Sequence, residues 1–158
     1  MSTYSIKDII SSSDRYKLYT LVCKREELKQ SIDFLNSENI PVINVGKEVS
    51  KFVETLQDQS YINIDVFEYT KKLLDGHKIK LAISGNFLIA IHNIGILLEP
   101  MFKLNAAQML REFSKSTALI IVWENELDFP NKLHWTDQTD TYNLDFLDTP
   151  LKKLHHAL

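Results

Sequence analysis

The sequence predicts an α/β fold in three layers, with a mainly parallel sheet sandwiched between helices. Two patterns predict it. Short β-prone apolar runs alternate with longer segments whose apolar residues recur at helical spacing, as in successive strand–helix units. The run Ala118-Leu-Ile-Ile-Val-Trp123 is apolar without alternation, as a strand covered on both faces must be. The chain's 158 residues, 44% hydrophobic and 25% charged, suffice for one domain with a real core, and no 20–50-residue repeat or low-complexity tract divides it.

The elements follow in order. Tyr4 to Ser13 sets Ile6, Ile9 and Ile10 on one helical face and reads as a short amphipathic helix. Lys17-Leu-Tyr-Thr-Leu-Val-Cys23 is the first strand, and it runs with almost no punctuation into a helix over Lys24 to Glu38 carrying Leu28, Ile32 and Leu35. Asn39 and Pro41 end that helix; Pro41 to Val45 is the second strand, closed by Gly46. Lys47 to Gln57 has Val49, Phe52, Val53 and Leu56 at i, i+3, i+4, i+7, and Ile62 to Asp75 has Ile62, Val66, Tyr69 and Leu73 on one face, so two helices follow. Residues 78–91 allow two readings: a hairpin turning at Ser84-Gly85-Asn86, or a helix end, a turn and one strand. Phe87 to Ile91 is a strand in both. Asn105 caps a helix over Ala106 to Lys115 with Ala106, Met109, Leu110 and Phe113 inward. After Trp123, Lys132 to Thr136 reads as an edge strand, and Leu144 to Leu147 as a strand or a turn of helix. This makes one domain: residues 1–14 an N-terminal helix, 17–148 the core, 149–158 a tail.

Composition narrows the function. A formal charge of −3 argues against sequence-blind nucleic-acid binding, which needs a basic surface to displace counterions. The longest apolar stretch is far too short to span a bilayer, residues 1–14 lack a signal-peptide core, and the single cysteine makes no internal disulfide. The expectation is a cytoplasmic protein without membrane contact.

In parallel sheets ligands sit beyond the carboxyl ends of the strands. Here those ends are Cys23–Lys24, Val45–Gly46, Ile91–Asn93 and Trp123–Asn125. The first strand and its helix carry the outline of a small P-loop NTPase, but the loop is missing. A phosphate cradle needs glycines so that backbone N–H groups all face the phosphates, then a lysine for charge and a hydroxyl for magnesium. Val22-Cys-Lys-Arg-Glu-Glu-Leu-Lys-Gln30 contains no glycine, and Glu26 and Glu27 repel phosphate. Only Lys29 remains, as a vestigial phosphate-loop position, with Gln30 where the hydroxyl belongs. The acidic strand tip that orients magnesium and water is also absent, since Phe87 to Ile91 ends in His92-Asn93. The chain is therefore not expected to be an NTPase, and no cofactor is assigned.

With these residues in view, the sequence resembles the BrxF family, the small P-loop protein of type 3 BREX phage-defence systems. Phe87 to Leu104 is similar to that family's apolar strand, Asp-Asn-Ile-Glu turn and Leu-Phe-Asp-Pro segment. Asn105 to Ser116 is similar to its Leu-Leu…Leu-Ser helix, and Ala118 to Trp123 to a strand that also ends near a Trp. Leu133-His-Trp-Thr-Asp137 and Tyr142 sit where the family has Leu-Thr-Tyr-Ala and a later Tyr. The outline covers residues 15–148. It departs at the family's Gly-x-x-x-x-Gly-Lys-Thr, represented by Cys23 to Gln30, at the acidic strand end, replaced by His92, and at Pro-Gly-His-Pro, which has no counterpart around Gln138 to Thr141. The resemblance implies a degenerate member in a prokaryotic phage-defence setting, with nucleotide binding not carried over.

Other groupings carry weaker chemistry. Lys24 and Arg25 open a helix and suit an anion or acidic partner, against a solvated turn offset by Glu26 and Glu27. Cys23 and His92 at strand ends allow thiol chemistry, against a structural thiol and a hydrogen-bonded histidine. Glu124, Glu126 and Asp128 allow a divalent cation, against simple solvation, and His155-His156 lacks ligands at metal spacing. Trp123, Phe129 and Trp135 cluster in sequence as anchors for a protein partner, against capping the core. The reading is a non-catalytic interaction subunit docked on a larger protein, such as a defence-complex ATPase or methyltransferase. The alternatives are a small enzyme or a nucleotide or anion binder using the strand-end crevice, and an inhibitor of a defence complex.

Overall fold

The computed structural model describes residues 3–82, 84–128, 131–135 and 143–154. Its elements in chain order are β1 (Thr3–Tyr4), α1 (Ile6–Ser11), β2 (Leu18–Val22), α2 (Leu28–Ser37), β3 (Val42–Asn44), α3 (Val45–Thr55), α4 (Ile62–His77), β4 (Ile79–Lys80), β5 (Phe87–His92), α5 (Ala106–Phe113), β6 (Thr117–Trp123), β7 (Glu126–Asp128), β8 (Lys132–His134), β9 (Asn143–Asp145) and β10 (Lys152–Leu154). The main sheet runs β1-β10-β2-β6-β5-β3, every neighbouring pair parallel, with β4 antiparallel on β5. β7, β8 and β9 form a small antiparallel sheet.

The uniform apolarity of β6 follows from what covers it. Ala118, Ile120 and Val122 pack on one face of the sheet with Ile9 of α1 and Leu35 of α2. Leu119, Ile121 and Trp123 pack on the other with Val49 of α3, Val66 of α4, Leu110 of α5 and Leu133 of β8. β5 divides in the same way, Leu88 and Ala90 to the first face, Ile89 and Ile91 to the second. A strand with both of its period-2 faces buried has no polar positions to show. The mainly parallel sheet and its two helical layers are as the alternation of elements predicted.

Caps set the helix ends. Asn44 and Asn105 accept from the backbone N–H of Lys47 and Gln108, each at 3.0 Å. Ser5 and Asp8 close a capping box at 2.8 and 3.3 Å, which starts α1 at Ile6; the expected helix over residues 4–13 is thus shorter, with Tyr4 in a strand. β4 and β5 form the hairpin that residues 78–91 left open. Lys132–His134 is the middle strand of the small sheet, not an edge, and Asn143–Asp145 is a strand.

One expectation is corrected. Of the residues 149–158 expected as a tail, those described are part of the core: Lys152–Leu154 lies between β1 and β2 in the main sheet, with Leu151 and Leu154 buried. Three residues that begin with two lysines carry no strand pattern of their own. Pairing on both sides makes the strand. Among the described residues no helix is long and apolar enough to cross a membrane.

Candidate functional site

Because β2, β6, β5 and β3 are parallel, their carboxyl ends share one edge of the sheet. From β2 the chain leaves to the face that carries Leu35, whereas from β6 it leaves to the face that carries Leu133 and Leu144. Adjacent strands whose connections part to opposite faces open a crevice between them, the place where sheets of this type bind ligands. At this edge the Cys23 N–H donates to the Trp123 carbonyl at 2.9 Å.

The turn after β2 is already closed on itself. The Lys24 N–H donates to Oε1 of Glu27 at 3.1 Å, and the Glu27 N–H donates to the Lys24 carbonyl at 2.9 Å. A 3-10 turn, Arg25–Glu27, leads directly into α2. An N–H that a phosphate loop would aim at its ligand is thus met by a carboxylate of the same turn. Lys24 and Arg25 are exposed. Lys29 lies on α2 with its side chain 91% exposed, 3.9 Å from Asp33 in a solvated i,i+4 pair. Its ammonium is in solvent.

Cys23, after β2, and His92, at the end of β5, are each half-buried, and β6 lies between their strands, so they are not on adjacent strand ends. Burial pushes the Cys23 thiol up, with Glu124 and Glu27 adding to the rise and a hydrogen bond from Ser31 opposing it. Burial pushes His92 down, against the pull of Glu124. The thiol is therefore protonated and the imidazole uncharged near neutrality, the reverse of a thiolate–imidazolium pair. Beside them, Asn93 Nδ2 donates to Asn44 Oδ1 at 2.9 Å and ties the ends of β3 and β5 together.

The aromatic anchors expected from the sequence are placed differently. Trp123 is 3% exposed and belongs to the core. Its ring meets that of half-buried Trp135 edge-on at 4.8 Å and 72°, and Trp135 packs over Gly95, where an added Cβ would come within 3.3 Å of the indole. The pair caps the core over the strand ends, because a tryptophan ending a doubly covered strand has its ring inside. Phe129, His155 and His156 lie outside the described residues. Glu124 is half-buried, Glu126 and Asp128 sit on β7, and among the described residues no group of three or more His, Cys, Asp or Glu is placed to hold a metal.

Sequence reasoning missed the exposed apolar surface. Tyr61, Ile64, Phe67 and Met101 are 66%, 51%, 40% and 50% exposed. Ile64 and Phe67, from α4, line a groove of about 830 Å³ whose far wall includes Met109 and Phe113 of α5. The signal was present: Ile64 and Phe67 fall outside the apolar stripe of Ile62 to Asp75. A single amphipathic stripe accounts for one face of a helix, and these two residues mark a second.

No family model matches the chain, and no curated protein or solved structure matches it either.

Proposed function

We propose that the chain is a non-catalytic pseudo-NTPase that works by contact, as a cytoplasmic subunit of a prokaryotic phage-defence complex of the BREX kind. The observation that carries the non-catalytic part is the turn after β2, where the Glu27 carboxylate takes the Lys24 N–H that a phosphate would need. The P-loop-like reading is supported by strand order. Counted along the chain, the parallel strands from β2 onward are β2, β3, β5, β6 and β10, and they lie in the order fifth, first, fourth, third, second. The first strand is central, and the turn after it opens at the switch point between β2 and β6, as a strand–loop–helix phosphate site requires. The exposed apolar face of α4 supports a role in protein contact. The defence setting rests on the BrxF resemblance alone.

The test is a thermal-shift series with ATP, GTP and magnesium. A ligand at 100-fold over its Kd adds about 2.7 kcal/mol to a protein that binds it only when folded. The expected result is no shift, and no change in the curve on Lys29→Ala. A clear nucleotide shift that Lys29→Ala abolishes would sink the pseudo-NTPase reading. Affinity capture from the native host is expected to recover a larger protein in fixed stoichiometry.

A further inference from the structure

The groove between α4 and α5 is apolar along its length and charged at its rim. Both helices finish at the amino end of the sheet. α4 ends at His77, just before Ile79, the register partner of Leu88, and α5 ends at Phe113, just before Thr117, the partner of Phe87. The groove therefore runs between two helices that point the same way, with Ile64, Lys103 and Leu104 toward one end and Leu74, Asp75 and Phe113 toward the other. Its walls are Ile64, Phe67 and Leu74 on one side and Leu104, Met109 and Phe113 on the other. Leu74 is buried, Leu104, Met109 and Phe113 are half-buried, and Ile64 and Phe67 are exposed. Its volume, about 830 Å³, is within the range of about 300–1,000 Å³ found for clefts that take small molecules.

The rim charges narrow the ligand. Glu68, Lys71, Asp75, Lys103 and Glu112 line the groove, and all five are exposed. Asp75 is paired with Lys78 at 3.1 Å and Glu112 with Lys115 at 2.8 Å, and neither of those lysines lines the groove. Glu68 and Lys71 stand three apart on α4, are neighbours on the helix surface, and offset each other. Lys103 remains. Among the described residues no ion pair engages it, and it precedes α5, at the end of the groove away from Asp75 and Phe113. The groove is thus an apolar channel with one uncompensated cation at one end. Its complement is a molecule with an apolar body and one anionic head.

We infer that the α4–α5 groove binds a free single-chain carboxylate of the fatty-acid type, its head at Lys103 and its chain laid along α5 toward Phe113. The eight residues of α5 span about 12 Å, which an extended chain of medium length covers. The chain covers Ile64 and Phe67 and removes their apolar surface from water. One lysine matches a singly charged head. A doubly charged phosphate leaves one charge unmet, and an anionic bilayer calls for a cluster of lysines and arginines that this rim lacks. The inference does not rest on the pseudo-NTPase reading. Tyr61 and Met101, which are exposed and outside the groove's lining, remain for a protein partner.

The probe is dodecanoate, titrated calorimetrically into the full chain below the concentration at which it forms micelles. One site per chain is expected, with octanoate about tenfold weaker or more for its four missing methylenes. Dodecanol, with the same chain and no charge, should bind about fivefold more weakly, and dodecyltrimethylammonium more weakly still. Lys103→Glu should weaken dodecanoate by about fivefold or more and leave dodecanol unchanged, whereas Phe67→Ser should weaken both. Both residues are exposed, so urea midpoints should stay at the wild-type value. With methionine methyls labelled for NMR, the Met109 signal, assigned by its loss in Met109→Leu, should move in step with the calorimetric isotherm. No saturable binding overturns the inference, as does binding that Lys103→Glu leaves unchanged, or dodecyltrimethylammonium bound as tightly as dodecanoate. Binding to anionic vesicles with none to monomeric dodecanoate overturns it and assigns the face to a membrane surface. A protein partner lost on Phe67→Ser, with dodecanoate unbound, overturns it while leaving the contact-surface reading standing.

Discussion

The side chain of Asn93 lies against the α-carbon of Gly46. A Cβ at residue 46 would fall 2.4 Å from Nδ2 of Asn93 and 2.8 Å from its main-chain oxygen. Asn93 itself sits at φ 56°, a left-handed conformation that asparagine tolerates and most residues do not. Gly46 is thus required by close approach. It lets α3 start directly after β3 and brings Asn93 within reach of Asn44.

Gly46→Ala is expected to destabilise the fold by about 1–3 kcal/mol, because the backbone oxygen cannot give way as a side chain can. Urea denaturation measures it. Pairing the substitution with Asn93→Gly should recover part of the loss, by removing the side-chain clash and the left-handed strain together. A Gly46→Ala chain as stable as the wild type contradicts the packing described.

Arg111 holds the segment that leads into β10. Its Nε donates to Thr149 Oγ1 at 2.6 Å, its Nη2 to Asp148 at 2.9 Å, and its guanidinium lies 4.4 Å from the centre of the Tyr16 ring. Arg111→Ala should cost about 2 kcal/mol. Arg111→Lys should recover little of it, since an ammonium has no planar fork to divide between two acceptors and a ring. Ending the chain at Pro150 removes β10 and uncovers the edge of β2, and cooperative unfolding should be lost. A truncated chain with the wild-type urea midpoint is incompatible with the sheet order observed.

His92 should make the fold sensitive to mild acid. Burial holds its folded value below the ordinary one near 6.5. Between the two values the unfolded chain binds more protons than the folded one, so stability falls as pH falls through about 6.5 and stops falling below the depressed folded value. Glu112, through Lys115, and Asp58, through Ser60, have lowered values too, but they act only in the carboxylate range at more acid pH. Urea midpoints from pH 7.5 to 5.5 should decline in the wild type and stay level in His92→Asn. Parallel curves rule out this role for the imidazole.

Cys23 should be a slow thiol. Its raised value and partial burial leave little thiolate at neutral pH, so alkylation by iodoacetamide at pH 7.5 is expected to run about tenfold or more slower than that of free cysteine. A rate equal to or faster than that of glutathione reopens thiol chemistry at the strand ends.

Much of the fold was legible because its signals are local. The helical stripes of α2, α3 and α5, the caps at Asn44 and Asn105, and the uninterrupted apolar run of β6 each follow from a few adjacent residues. The absent phosphate loop was legible for the same reason: glycine either stands in that turn or does not. What the turn does in place of a loop, with Glu27 taking the Lys24 N–H, was visible only as two acidic residues.

The sequence by itself determined the alternation of strands and helices, the doubly covered strand and the absence of glycine from the turn after the first strand, since periodicity and backbone chemistry act within a turn or two of chain. Tertiary structure alone decided three things. It set Lys152–Leu154 into the sheet, because a strand this short is defined by its neighbours. It buried Trp123, because burial depends on which face another element covers. And it left Ile64 and Phe67 exposed beside a groove, because only the packing of α4 on the sheet chooses which of its two apolar faces the solvent sees.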